Sequence, residues 1–327
     1  MGAVLVTGCC GFIGYRVTGM LLERGRAVVG VDNMNDYYDP RLKEWRLERL
    51  RELSGKNGDF AFHRCNIADF MSLKTIFSNY AIDAVINLAA RAGVRASVED
   101  PWAYLETNVT GTLNLLECCK AFQVGKFVLA STSSVYGDNT SMPFKVGDPT
   151  DHPLAPYSAT KKGAEVLCYS YHYLYGVDVA IPRYFTVYGP AGRPDMSIFK
   201  FIKQIDVGEP IPVFGDGTQK RDFTYIDDIA EGTLRCLDAR GYCVVNLGND
   251  RPVELMYVIR LIEEHLEKRA EVDWFPLHPS DIYATWADLS ATRDALGWYP
   301  TTPIEDGLKK TLAWYFDNRA FVRSLRD

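Results

Sequence analysis

A doubly wound α/β fold, a parallel sheet with helices on both faces, is the class this 327-residue sequence predicts. Three observations predict it. Short β-rich apolar runs alternate with longer helical patterns through the first half, the rhythm of a parallel sheet. The first run leads into a glycine-rich turn, Thr7-Gly8-Cys9-Cys10-Gly11-Phe12-Ile13-Gly14, that opens a helix. The second run ends in an acidic residue, Asp32.

Taken in order, Ala3–Val6 reads as a buried strand, Phe12–Glu23 as a helix and Ala27–Val31 as the next strand. Asp39–Leu53 follows with Arg41, Lys43, Arg46, Arg49 and Arg51 set among Glu44, Glu48 and Glu52. Mixed signs at helical spacing read as a solvated face, with coverage of a bound ligand as the alternative. Ala84–Leu88, Phe127–Ala130 and Val179–Ile181 are further strands, and Trp102–Phe122 and Ser158–Tyr175 are the helices between them. Beyond about residue 186 the rhythm breaks, and Pro190, Pro194, Pro210 and Pro212 punctuate a loop-rich stretch. Asp227–Ala239 then reads as helix, Val244–Leu247 as strand, and Glu254–Lys268 and Pro303–Asn318 as helices. The expected organisation is a dinucleotide domain over 1–186 plus 221–249 and a smaller, discontinuous domain over 187–220 plus 250–327.

Composition narrows the function classes. Apolar residues make up 47% and charged residues 24%, with a net charge of −6, as in ordinary globular chains. That acidity argues against a nucleic-acid surface. No apolar run approaches the roughly 20 residues of a membrane helix. Met1–Val6 has neither the basic start of a secretory leader nor the myristoylation pattern, so a cytoplasmic protein is expected. The eight cysteines include two adjacent pairs, Cys9-Cys10 and Cys118-Cys119, and no CxxC or Cys/His ligand spacing. Reduced thiols packed as small hydrophobes are expected, with no metal.

The turn spaces its glycines as GxxGxxG, at Gly8, Gly11 and Gly14. Glycine there permits a tight turn, close approach of a pyrophosphate and close packing of helix on strand. The N–H groups of the helix start, at Phe12 and Ile13, would point at phosphate. Asp32 would accept hydrogen bonds from a ribose and repel a 2′-phosphate. Asn33 follows it, not Arg or Lys, so NAD is favoured over NADP. Asn66-Ile67 and Leu88-Ala89-Ala90 would lie at the same edge of the sheet, where small residues let a cofactor lie close.

Tyr157 and Lys161 stand four apart at a helix start, and so share a face. Lowering a phenol from pKa about 10 to about 7 takes roughly 4 kcal/mol of differential stabilisation. A nearby ammonium and a cationic nicotinamide ring could supply much of that, giving a general base near neutrality. Upstream, the hydroxyl run Ser131-Thr132-Ser133-Ser134-Val135-Tyr136-Gly137 follows an apolar strand and could relay a proton.

These pieces resemble the extended short-chain dehydrogenase/reductase family, and more narrowly its nucleotide-sugar epimerases. Further matches are Arg183–Pro190, Arg221–Asp228 and Leu296-Gly297-Trp298-Tyr299-Pro300. Asp32–Asp39 and Gly189–Met196 resemble the UDP-glucuronate 4-epimerase branch. The resemblance implies a Rossmann-type sheet with a smaller mixed α/β substrate domain. It implies 4-epimerisation of UDP-glucuronate to UDP-galacturonate through a 4-keto sugar, with NAD recycled. Thr132 would be the catalytic hydroxyl, Tyr157 the base, and Lys161 its partner on the nicotinamide ribose. Asn108 and Tyr184 would join the cofactor residues. Arg95, Ser133, Ser134, Thr186, Arg193, Val213, Phe214, Arg221, Asp281 and Tyr283 would contact the UDP-sugar. In family members the helices matching Trp102–Phe122 and Ser158–Tyr175 form an intersubunit four-helix bundle, so the resemblance implies a homodimer; the sequence alone also allows both helices to be buried within one subunit. Decarboxylating relatives carry Glu, and dehydratase relatives Asp-Glu, before the Val-Tyr-Gly of the hydroxyl run, where this chain has Ser133-Ser134. UDP-glucose 4-epimerase and UDP-glucuronate decarboxylase are the alternatives on the same scaffold. A non-catalytic NAD sensor is a third reading, disfavoured by the presence of both Tyr157 and Lys161.

Overall fold

The computed structural model describes residues 2–276 and 282–326. Its centre is an all-parallel sheet of β1 (Ala3–Thr7), β2 (Val28–Asp32), β3 (Phe60–Arg64), β4 (Ile82–Asn87), β5 (Lys126–Leu129), β6 (Ser131–Thr132), β7 (Asp178–Tyr184) and, after the smaller strands below, β12 (Tyr242–Leu247). The order across the sheet is β3-β2-β1-β4-β5-β7-β12, with β6 extending the edge of β7. Order reverses between β1 and β4, so a crevice opens beyond their C-terminal ends.

Alternation along the strands divides the core. Val4, Val6, Val28 and Ile86 face one side, against α1 (Phe12–Glu23) and α2 (Pro40–Asn57). Leu5, Val29, Val85 and Phe127 face the other. They meet α3 (Phe70–Asn79), α6 (Gly111–Phe122) and α7 (Pro156–Tyr175). Period-two side-chain direction is the cause, and strands buried on both faces read as continuous apolar runs. The helix expected over Trp102–Phe122 is built in pieces. The short α4 (Ala96–Glu99) and α5 (Pro101–Tyr104) lead into a π-helical turn, Leu105–Thr110, before α6.

The stretch after residue 186 holds more regular structure than its prolines suggest. β8 (Thr186–Tyr188) pairs with β11 (Phe223–Tyr225), β9 (Ile211–Phe214) with β14 (Val272–Phe275), and β10 (Lys220–Arg221) with β13 (Val253–Glu254). The helices are α8 (Ser197–Val207), α9 (Ile226–Arg235), α10 (Leu255–Leu266), α11 (Ser290–Leu296), α12 (Ile304–Asp317) and α13 (Arg319–Ser324). The sequence reading missed α8. Its buried Ile198, Phe201, Ile202 and Ile205 follow helical spacing, and the prolines bound this helix without entering it. The apolar core on the α1 face runs unbroken into α8, α10 and α12.

The charged helix is also not what the sequence suggests. Arg46 is fully buried and Lys43 nearly so. Asp39 caps α2 by accepting from the Arg41 amide, and Pro40 starts it with the φ a helix needs. Asp39 also accepts from the Arg326 amide at 2.9 Å, tying the C-terminal segment to α2.

Asp206 is the main polar staple of this half. It is buried, and its carboxylate accepts from Lys268, Tyr315, Arg319 and Arg323. Despite burial, these donors hold its carboxyl well below the usual carboxylate range. The carboxylate is buried while its three cationic partners are half-exposed, so what is lost on removing its charge is a set of charge-assisted hydrogen bonds. Asp206→Asn is therefore expected to lower stability by about 1–3 kcal/mol at neutral pH. The wild-type contribution is complete above the ordinary Asp pKa of about 4 and is lost as pH falls below it. Thermal melts of both proteins from pH 7 to 3 should draw closer at the acid end without meeting, because the folded carboxyl is still ionised there; parallel curves would count against the staple.

Candidate active site

The crevice between β1 and β4 is a cavity of about 450 Å³. One wall is the turn between β1 and α1. Gly8 there has φ +66°, and a Cβ on it would lie 2.8 Å from the Ala89 nitrogen. A Cβ on Gly14 would lie 1.9 Å from the Gly8 carbonyl oxygen. The turn therefore lies directly against the end of β4 and against its own helix. No side chain caps α1 at Gly11, so the first N–H groups of the helix are left for an anion. Asp32, buried at the end of β2, accepts from the Cys10 amide (3.1 Å) and the Met34 amide (2.9 Å). A carboxylate has about four lone-pair sites, so two protein donors leave room for ribose hydroxyls. A bare turn, an uncapped helix and a held carboxylate together fit a dinucleotide.

The opposite wall carries the reactive groups. Thr132 Oγ1 lies 3.2 Å from Ser134 Oγ and accepts from the Ser134 amide at 3.2 Å. Burial raises the Tyr157 pKa, while a hydrogen bond with Thr132 and the charge of Arg193 pull it down. Lys161 Nζ donates to the Ala130 carbonyl at 2.9 Å. Burial lowers Lys161 to about 8, and Glu165 one turn on opposes the fall. The bond to the Ala130 carbonyl anchors the lysine, four residues after Tyr157 on the same helix, to the sheet.

Behind this wall Glu165 accepts from Ser131 Oγ at 2.5 Å. It also pairs bidentately with Arg183, at 3.0 and 2.9 Å. Arg183 lies over the Tyr136 ring, and Tyr136 donates to Asn246 at 2.6 Å. This satisfied buried network fixes the hydroxyl run and the start of α7 on the sheet.

The lining brings together Gly8, Gly11, Phe12, Ile13, Gly14, Asp32, Asn33, Asn66, Ile67, Leu88, Ala89 and Ala90 with Thr132, Ser133, Ser134, Tyr157, Lys161, Tyr184, Thr186 and Arg193. Asn108 stands behind it. Its amide holds the Arg91 backbone at 2.9 and 3.1 Å and Thr160 Oγ1 at 3.1 Å. It supports the wall, where direct cofactor contact was expected.

A second group gathers elsewhere. Arg95 lies 4.0 Å from the centre of the Phe214 ring. Arg221 donates to the Tyr283 carbonyl at 3.0 Å, and the Tyr283 hydroxyl meets Thr218 at 2.8 Å. Val213 does not join them: it is fully buried, because alternation along β9 turns Ile211 and Val213 inward and Phe214 outward. Asp281 lies outside the described residues.

Sequence reasoning missed Tyr37, Lys43, Arg91 and Met196, which also line the cavity. Tyr37 lies under two cations, Arg91 at 5.6 Å and Arg193 at 5.5 Å from its ring centre. Its available signal was its place in the quoted Asp32–Asp39 stretch. The four cations of the lining are Lys43, Arg91, Lys161 and Arg193; Asp32 is its one acidic residue among the described residues.

The family model of GDP-mannose 4,6 dehydratase matches residues 5–311. The chain belongs to this family. A UDP-glucuronate 4-epimerase of Thermodesulfobacterium geofontis is 54% identical over 327 residues, covering all of both chains. The structure also matches that of a Bacillus cereus UDP-glucuronic acid 4-epimerase in complex with UDP-glucuronic acid and NAD. That match has a TM-score of 0.89 at 36% identity and covers 96% of this chain and 99% of the other. A UDP-glucose 4-epimerase from Thermotoga maritima, with UDP-glucose, matches at TM-score 0.88 and 31% identity, covering 97% and 99%. Although the family model is that of a dehydratase, the hydroxyl run Ser131–Gly137 of this chain holds no carboxylate.

Gly14→Ala is expected to cost about 1–3 kcal/mol through forced backbone movement. It should also strip the protein of dinucleotide. Calorimetric titration with NAD against wild type checks this; unchanged affinity would show that the turn can yield without consequence.

Proposed function

We infer that this chain is an NAD-dependent epimerase that interconverts UDP-glucuronate and UDP-galacturonate through a 4-keto sugar. The observation that carries the reading is the cationic reacting end of the cleft. Arg193, paired with Asp195 outside the lining, acts electrostatically on Tyr157, and the lining's one carboxylate, Asp32, stands by the glycine turn. An acidic sugar fits that charge, and no Asp or Glu is placed to expel water from it.

The residues divide the work. Gly8–Gly14, with the start of α1, would hold the pyrophosphate of NAD, and Asp32 its adenosine ribose. NAD when bound accepts the sugar's 4-hydrogen with its electron pair and returns it to either face. Tyr157 would take the 4-hydroxyl proton through or beside Thr132 and give it back after the sugar turns. Lys161 would bond the nicotinamide ribose and keep positive charge near the phenol. Thr186, Ser133, Ser134 and Arg193 would hold the sugar carboxylate. This matters because the oxidised sugar is a β-keto acid that loses carbon dioxide readily. Arg221, Tyr283, Phe214 and Arg95 would meet the UDP. Residues 1–186 with 221–249 serve the dinucleotide on this reading, and 187–220 with 250–327 the nucleotide sugar.

The same reading includes a homodimer in the cytosol. Trp102, Val166, Tyr169, Tyr173 and Leu174 are exposed on α5 and α7, which touch each other, and a second copy would cover them. Buried thiols with raised pKa, such as Cys168 and Cys236, suit a reducing compartment.

Proton NMR of purified protein with UDP-glucuronate and no reductant should show UDP-galacturonate appearing. UDP-pentose alone would instead mean a decarboxylase. Tyr157→Phe should lower kcat by about 10²–10⁴-fold, the range for loss of a general base.

The alkaline limb of kcat/KM should fall through about pH 8, where Lys161 loses its proton. Below that pH the ammonium is present, and above it the charge is lost. Lys161→Arg, which does not titrate there, should carry the limb to higher pH. An unmoved limb would assign it to another group.

A further inference from the structure

Arg46, in the middle of α2, is fully enclosed, although it lies in a stretch that reads as a solvated face. Its guanidinium reaches three separate segments. Nη1 donates to the Cys10 carbonyl at 2.9 Å, inside the turn between β1 and α1, and to the Tyr38 hydroxyl at 2.6 Å. Nη2 donates to the carbonyls of Ala191 at 2.7 Å and Gly192 at 3.0 Å. The Tyr38 ring centre lies 5.6 Å from Cζ, and Nε has no partner.

A buried cation is costly, and a carboxylate is its common compensation. Among the described residues none pairs with Arg46; backbone carbonyls and an aromatic face take that place. Packing alone would be served by an apolar side chain of similar length. What Arg46 adds is a rigid planar fork joining two backbone turns on either side of the cleft. One is the turn read as the pyrophosphate cradle. The other carries Arg193 immediately after Ala191-Gly192, and Ala191 is a non-glycine residue at φ +52°. That conformation is sparsely populated and persists where the surroundings hold it.

We propose that Arg46 is a positioning residue that fixes the separation between the dinucleotide turn and Arg193, and so the register of the substrate's carboxylate against Tyr157. The proposal rests on the reading above, in which Arg193 meets that carboxylate. A single side chain thereby couples the cofactor half of the cleft to the carboxylate half. Its consequence is chemical: a carboxylate out of register in the 4-keto sugar is free to leave as carbon dioxide.

Arg46→Met and Arg46→Lys test this, the second keeping the charge while reaching one turn but not both. With folded protein confirmed by thermal melts, Arg46→Met should lose roughly 10²-fold in kcat/KM for UDP-glucuronate, the loss expected from a misplacement of about 1 Å. It should do so mainly through kcat, and the share of decarboxylated UDP-pentose should rise several-fold. Arg46→Lys should recover part of both. Hydrogen exchange should quicken in peptides covering 8–12 and 189–196 and stay unchanged over β4 and β5. Folded variants with wild-type kcat, product ratio and exchange would overturn the proposal. So would an activity loss equal to the loss of folded protein. Should Arg46→Met fail to fold, Arg46→Lys alone decides by the same readouts. Should wild type itself leave UDP-glucuronate untouched, the functional reading fails, and the exchange data still decide whether Arg46 couples the two turns.

Discussion

No side chain fits between the turn after β1 and the end of β4, and the remainder of the cleft is arranged around that contact. Gly8 lies against Leu88 and Ala89, and Gly14 against the Gly8 carbonyl. With the turn so close, α1 begins directly beyond the sheet edge and its free N–H groups face the crevice. The same closeness lets the Cys10 amide reach Asp32 and the Cys10 carbonyl reach Arg46. One steric constraint therefore sets the phosphate site, the ribose site and the brace to the far loop.

Electrostatics then separates binding from reaction. In the protein alone burial keeps the Tyr157 phenol protonated, and burial draws Lys161 down to about 8. Neither group is poised by the chain alone, since a phenolate and an ammonium in an apolar pocket would each lose hydration. On the proposed reading a bound cationic ring would shift that balance toward the phenolate. The base would then form where substrate and cofactor lie. The rigid parts agree with this: Glu165, Arg183, Tyr136 and Asn246 are all satisfied and hold the reactive wall in one position.

Much of this was legible in the sequence because it depends on local rules. Strands buried on both faces must be apolar, and the glycine turn must lie between strand and helix. Tyr157 and Lys161 share a face by periodicity. What was not legible depends on distant contacts. The charge pattern of α2 gave no sign that Arg46 points inward, because its acceptors lie at Cys10 and at Ala191-Gly192, far along the chain. Asn108 falls in a π-helical turn that no propensity marks, and there it grips the Arg91 backbone. Val213 was misplaced by proximity to Phe214, when strand alternation should have set the two apart. In α8 the apolar period was present, but four nearby prolines outweighed it in a reading that treats proline as a break.

The placement of the cations also bears on how one scaffold can return hydrogen to either face of a sugar without losing its carboxylate. On the proposed reading Tyr157 and Lys161 belong to a helix locked to the sheet, whereas Arg193 belongs to a loop. A ring that must turn between two hydride transfers needs a fixed reacting centre and a carboxylate site that keeps its grip. A loop alone would yield to the turning ring. A loop tied by its carbonyls to a buried guanidinium yields much less. Since Arg46 makes the same tie to the dinucleotide turn, movement of the carboxylate site away from the cofactor would break hydrogen bonds in a pocket where no water replaces them. The cost of a buried cation in α2 is intelligible as the cost of that restraint.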